Sequence, residues 1–182
     1  SREAVTMLDT ARTEFNDLMA EPALIALGGQ LARALFMSDE NRRAIEVAEA
    51  VLEAAEHADV LAVVADTLVT KGTALAIEGR PIEGLGAIVA GRDLAEAQGL
   101  GSTVVRADIN RSFVANLRDP RAAYETARIG LAYAQRLGLR QGIPFLVGNL
   151  SEAALHTGDW SPALTELRAA LAQDWEPTDR VT

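Results

Sequence analysis

Residues 158–171, GDWSPALTELRAAL, read as a tight turn running into an amphipathic helix. Whether this stretch occurs once or is one copy of a repeat decides the architecture. Three other segments carry its pattern, anchored on Ala44, Gly84 and Ala123 as this one is on Ala163. After each small anchor comes an apolar residue at the next position and another small or apolar one four along (Ala48, Ile88, Ala127, Leu167). A third falls seven along, at Val51, Gly91, Gly130 and Ala170. The anchors are 40, 39 and 40 residues apart, so the stretch is a repeat.

A turn precedes each anchor: Ser38-Asp39-Glu40-Asn41, Glu78-Gly79-Arg80-Pro81, Arg118-Asp119-Pro120 and Thr157-Gly158-Asp159-Trp160. Gly supplies a left-handed helix cap, Asp or Ser a cap at the next start, and Pro81, Pro120 and Pro162 fall in the first turn, where a missing N–H is harmless. Upstream of each turn, apolar residues recur at helical steps: Leu24, Leu27, Leu31, Leu35; Leu61, Val64, Leu68, Leu75; Val105, Ile109, Phe113, Leu117; and Phe145, Val147, Leu150, Leu155. Each unit is therefore a helix A, a short turn and a helix B. Units are separated at Asp59-Val60, Gly99-Leu100 and Gly138-Leu139, which predicts repeats over 21–58, 59–98, 99–137 and 138–175. Residues 1–20 read as one more helix, with Met7, Leu8, Ala11, Phe15 and Leu18 on one side, the B helix of a truncated preceding repeat. No alternating run reads as a strand. A lone hairpin of this size cannot cover its own apolar face, so the expectation is an all-α solenoid of about four helix pairs in which units bury a continuous core against their neighbours.

Composition narrows the function. The chain has 182 residues, 49% of them hydrophobic but only 4% aromatic, which suits close packing of helices through small aliphatic side chains. A net charge of −9 without a basic block argues against nucleic acid or an anionic membrane as partner. Cysteine is absent, which removes disulfides and thiolate metal sites and favours a cytoplasmic setting. No apolar run approaches the roughly 20 residues that span a bilayer.

The repeats resemble tetratricopeptide repeats. Ala44/Ala48, Gly84/Ile88, Ala123/Ala127 and Ala163/Leu167 fill the family's helix-B element, and Leu31-Ala32, Lys71-Gly72 and Leu150-Ser151 stand where its Leu-Gly step falls in helix A. In the third unit Arg111-Ser112 fits only if the turn is one residue shorter. Large aromatics are replaced by Leu and Ala, the closing proline is missing, and the period is about 5 residues longer than the usual 34. Long, alanine- and leucine-rich repeats of this kind are similar to those that follow the ATPase module in bacterial regulators and ATPase-linked nucleotidyl cyclases. The resemblance implies a right-handed superhelix and a non-catalytic interaction or regulatory module of a larger bacterial signalling protein. It implies a protein or peptide partner, or other domains of the parent, and no cofactor. Two further readings stand beside it: a small-molecule sensor with an enclosed pocket, and a self-association module forming a homo-oligomer.

The residues offer little to catalysis. His57 and His156 fall near helix ends in non-adjacent repeats, where an imidazole complements the helix dipole. Gly28-Gly29-Gln30, Gly84-Leu85-Gly86 and Gly99-Leu100-Gly101 lack the strand and lysine of a phosphate loop and read as packing or capping glycines. No metal site is expected. Because helix A lines the concave side of such arrays, the candidate binding residues are Asp66, Thr70 and Thr73 in the second unit, Arg106 and Asn110 in the third, and Asn149 and Glu152 in the fourth. Asn110 and Asn149 sit in matching Asn-x-Ser triplets, where an amide grips an extended peptide backbone, solvates the helix surface or bonds between neighbouring A helices.

Overall fold

A computed structural model of the chain describes residues 2–15, 21–116, 118–158 and 160–172. Among them nine α-helices and one 3-10 turn form, and no strand. Helix α1 spans Arg2–Glu14, α2 Pro22–Phe36, α3 Asn41–His57, α4 Leu61–Ile77 and α5 Pro81–Ala97. There follow α6 Gly101–Asn116, α7 Pro120–Leu137, the turn Arg140–Gly142, α8 Ile143–Thr157 and α9 Trp160–Leu171. Pro22, Pro81 and Pro120 each open a helix, where the fixed φ assists and no hydrogen bond is lost.

The chain divides into two compact units, residues 1–100 and 101–182. In the first, each helix from α1 to α5 packs on the next, and α2 also packs on α4. In the second, α6 to α9 pack in the same succession, and α6 also meets α8. Within each unit A helices thus touch A helices, while α3 and α7 are each wedged between their own A helix and the one that follows.

The stride of the array is set by its turns. Asp39, Asp59, Gly79, Gly99 and Gly138 all adopt a left-handed φ, between 55° and 87°. In each case the next N–H reaches back to a carbonyl five residues earlier: Glu40 to Leu35, Val60 to Ala55, Arg80 to Leu75, Leu100 to Ala95 and Leu139 to Ala134, at 2.8–3.0 Å. These are Schellman caps, and they satisfy carbonyls that would otherwise end the helix unpaired. The α6–α7 turn is built differently. There Asp119 N–H donates to Ala115, only four residues back, and the Asp119 carboxylate accepts from Ala122 N–H at 3.0 Å. The reach back is one residue less there, and α6 has 16 residues where α4 has 17, which accounts for the 39-residue step between Gly84 and Ala123.

The small anchors face inward. Ala44, Ala123 and Ala163 are buried, as are Gly84, Gly91 and Gly130; the side chain of Ala170 lies outside the described residues. The closest approach is between α4 and α5. A Cβ built on Gly72 would stand 2.5 Å from the Gly84 carbonyl oxygen and 2.8 Å from Ile88 Cγ1, and one built on Gly84 would strike the Gly72 carbonyl. Farther along the same pair, a Cβ on Gly91 would come within 2.7 Å of the Ala65 carbonyl. Two backbones in contact exclude any larger side chain at these points. Around the crossings lie the aliphatic clusters: Leu31, Leu35, Ala44 and Ala74; Ile25, Val51, Leu52, Ala55 and Val64; and, in the second unit, Val105, Leu131, Ala134, Leu146 and Val147.

Three side chains expected in the core are not there. Phe113, Phe145 and Leu155 are 41, 48 and 56% exposed. In α8 the inward arc is filled by Leu146, Val147, Leu150, Ala153 and Ala154, and in α6 by Val104, Ala107, Ser112, Val114 and Ala115. Small residues carry much of the buried arc, so the large apolar ones at its edge are left outside. Leu18 and Leu117 lie outside the described residues.

Two urea-unfolding comparisons test this account. Gly72→Ala and Gly84→Ala lose about 1–3 kcal/mol through overpacking, whereas Gly86→Ala and Gly148→Ala, which meet nothing within 4 Å, gain about 0.5–1 kcal/mol from helix propensity. At the caps, Gly79→Ala and Gly99→Ala each lose about 1 kcal/mol, and Asp39→Gly, at the same φ sign, does not destabilise.

Candidate interaction surface

The expected binding residues separate into three environments. Asp66, Thr70 and Thr73 belong to α4 in the first unit; Arg106, Asn110, Asn149 and Glu152 belong to α6 and α8 in the second. Thr70 and Thr73 are a correction to the sequence reading, because both are buried. Their hydroxyls donate to the carbonyls of Asp66 (3.2 Å) and Val69 (2.8 Å), satisfying themselves within α4 and presenting nothing to solvent. Asp66, Arg106 and Asn110 are half-buried.

Asn149 is spent between helices. Its amide donates to the Ile109 carbonyl at 2.9 Å and to Ser112 Oγ at 2.9 Å, while Ser112 Oγ itself donates to Ile109 O at 2.9 Å. A polar clamp therefore joins α8 to α6 at a height where Ser112 is fully buried. Of the roles open to this amide in the sequence, the bond between A helices is the one formed. Glu152 alone among the seven is exposed.

What the second unit does present is mixed. Phe113 on α6 and Phe145 on α8 are both about half exposed, with Glu152 about two turns beyond Phe145. The two phenylalanines were missed as surface residues because their spacing from Ile109 and Val147 imitates a core stripe. The signal that could have found them is the repeat itself: Phe145 lies 39 residues after Arg106 and Phe113 lies 39 before Glu152, so each occupies a slot that is charged in the neighbouring repeat.

In the first unit an open cleft of about 470 Å³ runs between α1 and the start of α3, lined among others by Arg2, Thr6, Asp9, Glu40 and Arg43. Arg43 reaches Glu40 at 2.8 Å and Asp9 at 3.2 Å. The hydrogen bond to Glu40, with the charge of Glu40 and Asp9, raises the Arg43 pKa above its ordinary value. The guanidinium thus bridges Asp9 of α1 and Glu40 before α3 at the surface, and its charge is matched on both sides.

The histidines and glycines behave as packing and end residues. His57 Nδ1 lies 2.7 Å from the Glu53 carbonyl at the end of α3, and His156 is exposed near the end of α8. Gly28 is pressed against Val51, Gly29 against Thr67, and Gly99 forms a cap. Among the described residues no group of three or more His, Asp or Glu is arranged to hold a metal ion, and no helix is long and apolar enough to cross a membrane. No protein-family model matches the chain, and no curated protein matches it.

Removing the clamp separates its structural role from any recognition role. Asn149→Ala loses about 1–2 kcal/mol in urea unfolding, having deleted two hydrogen bonds and left a buried carbonyl and hydroxyl with fewer partners. Glu152→Ala stays within about 0.5 kcal/mol of the parent.

Proposed function

We propose that the chain is a non-catalytic protein-interaction module built of tetratricopeptide-like repeats in a right-handed superhelical array, and that it serves a larger bacterial signalling or regulatory protein. The repeat resemblance supports the family and setting; the burial pattern supports the mode of action. The observation that carries the reading is the pair Phe113 and Phe145, large aromatic rings about half exposed on the two A helices that Asn149 ties together. In a chain with 4% aromatic residues, spending two phenylalanines on one surface favours a contact made there. Rings flanked by the exposed carboxylate of Glu152 suit an extended peptide segment with apolar side chains and a basic residue.

Selection of a random peptide phage library on the 182-residue chain tests the reading. The expected outcome is a set of peptides rich in apolar and basic residues that lose about tenfold or more in affinity on a Phe113→Ala, Phe145→Ala double variant of unchanged helicity. Peptides that bind parent and variant equally, or a library that yields none, contradict it.

A further inference from the structure

The outer faces of the B helices are polar except in the middle of the chain. On a helix, residues four and seven beyond a first one share its face. Taken from the first outward position, that triplet is Arg42, Glu46 and Glu49 in α3 and Arg121, Glu125 and Arg128 in α7, all exposed. The matching triplets that begin at Arg2 in α1 and at Ser161 in α9 are polar and exposed too. In α5 the same positions hold Ile82, Gly86 and Val89. Ile82 is 72% exposed, more than any other large apolar residue among those described. Gly86 and the adjoining Ala90 are exposed, and Val89 is half-buried. The inner side of α5 is apolar as well, with Gly84, Ile88, Gly91 and Ala95 buried. A helix apolar on both sides is made to be covered on both.

The glycine carries a second, independent signal. In mid-helix it costs about 1 kcal/mol relative to alanine. Gly72, Gly84 and Gly91 are explained by neighbouring atoms that fill the volume of a Cβ, whereas a Cβ on Gly86 meets nothing within 4 Å. Packing within the chain therefore gives no reason for glycine at 86. A backbone arriving from outside does, in the way that α4 approaches α5 at Gly84.

The surroundings of the stripe select its occupant. With two copies of α5 antiparallel and Gly86 against Gly86, Ile82 of each falls level with Ala90 of the other and beside its Val89, a large side chain against smaller ones. Arg80, six residues before the crossing, comes close to the height of Asp93, seven residues after it. Arg80 is bridged to Glu83 at the surface, where exchanging one carboxylate for another costs little. Asp93 is also drawn to the N-terminal end of the opposing helix, whose dipole is positive there. A parallel pairing would instead set Asp93 on Asp93. Shape and charge thus complement themselves about a two-fold axis, as an interface between identical surfaces requires.

We propose that the chain associates with a second copy of itself through an antiparallel α5–α5 contact, with the two-fold axis at Gly86. A single pair of 17-residue helices buries less than the roughly 1,200 Å² of total surface at which stable interfaces begin, so the dimer is transient, with a Kd of about 1–100 µM. This contact uses the first unit and the Phe113–Phe145 surface the second, so either proposal can fail without the other.

Sedimentation equilibrium of the 182-residue chain between about 1 µM and 1 mM tests the contact. The expected result is a monomer–dimer equilibrium that Ile82→Glu and Gly86→Leu each weaken by about tenfold or more. Neither variant lowers the urea midpoint of the dilute monomer, because both positions are exposed and Gly86 has open space. The chain has no cysteine, so Gly86→Cys reports the axis itself. Mild oxidation links two copies of that variant, since a disulfide forms only where Cα atoms lie about 4.4–6.8 Å apart. Glu46→Cys, at the equivalent exposed position of α3, is not linked at the same concentration. The proposal is overturned by a chain that stays monomeric up to about 1 mM, which would leave the stripe to a different protein. It is equally overturned by a dimer that Ile82→Glu leaves intact, or by Glu46→Cys linking as readily as Gly86→Cys.

Discussion

The structure depends on how closely two helix backbones can approach. At Gly72 and Gly84 no side chain intervenes, and the carbonyl of each glycine occupies the volume a Cβ would need at the other. That contact draws α4 and α5 together so that Ile88, Val69 and Leu75 are fully buried between two thin elements. Dispersion falls steeply with distance, so an added gap of about 1 Å forfeits much of the attraction along the whole pair. Ala44, Ala123 and Ala163 serve the same end in their own hairpins, and a chain so poor in aromatics has no bulky side chains to fill a wider gap.

The turns convert that pairwise contact into an array. Left-handed residues recur at 39, 59, 79 and 99, a uniform step of 20, so α3, α4 and α5 are each cut to 17 residues. Glycine does this without strain at 79 and 99, while Asp39 and Asp59 accept the same conformation with a side chain present. Register and packing are therefore set by different residues. The caps fix where the crossings fall, and the small residues fix how near the helices come.

This division explains what the sequence disclosed. The period was legible because anchors and caps are both chemically restricted: Gly or Ala stands at 44, 84, 123 and 163, and Gly or Asp at the cap positions. Even the short third turn could be read, from the displacement of Arg111-Ser112 against its counterparts. The faces of the A helices were less legible. An A helix is covered on several sides, so its buried arc is wide and includes Thr67, Thr70, Thr73 and Ser112, which look polar in sequence; the last three bond to their own helix. Phe113 and Phe145 show the converse, apolar residues at the edge of an arc already filled by alanine and valine. Asn149 left several roles open in the sequence, and only its distance to Ile109 and Ser112 distinguishes them.

Native-state hydrogen exchange followed residue by residue is the most direct measurement of the central claim. If contact at Gly72 and Gly84 unites α4 and α5, amides at the middle of both helices open together with one free energy, among the highest in the first unit, and Gly84→Ala lowers both by the same amount. Protection that differs between α4 and α5, or a substitution that loosens one helix and leaves the other unchanged, would contradict it.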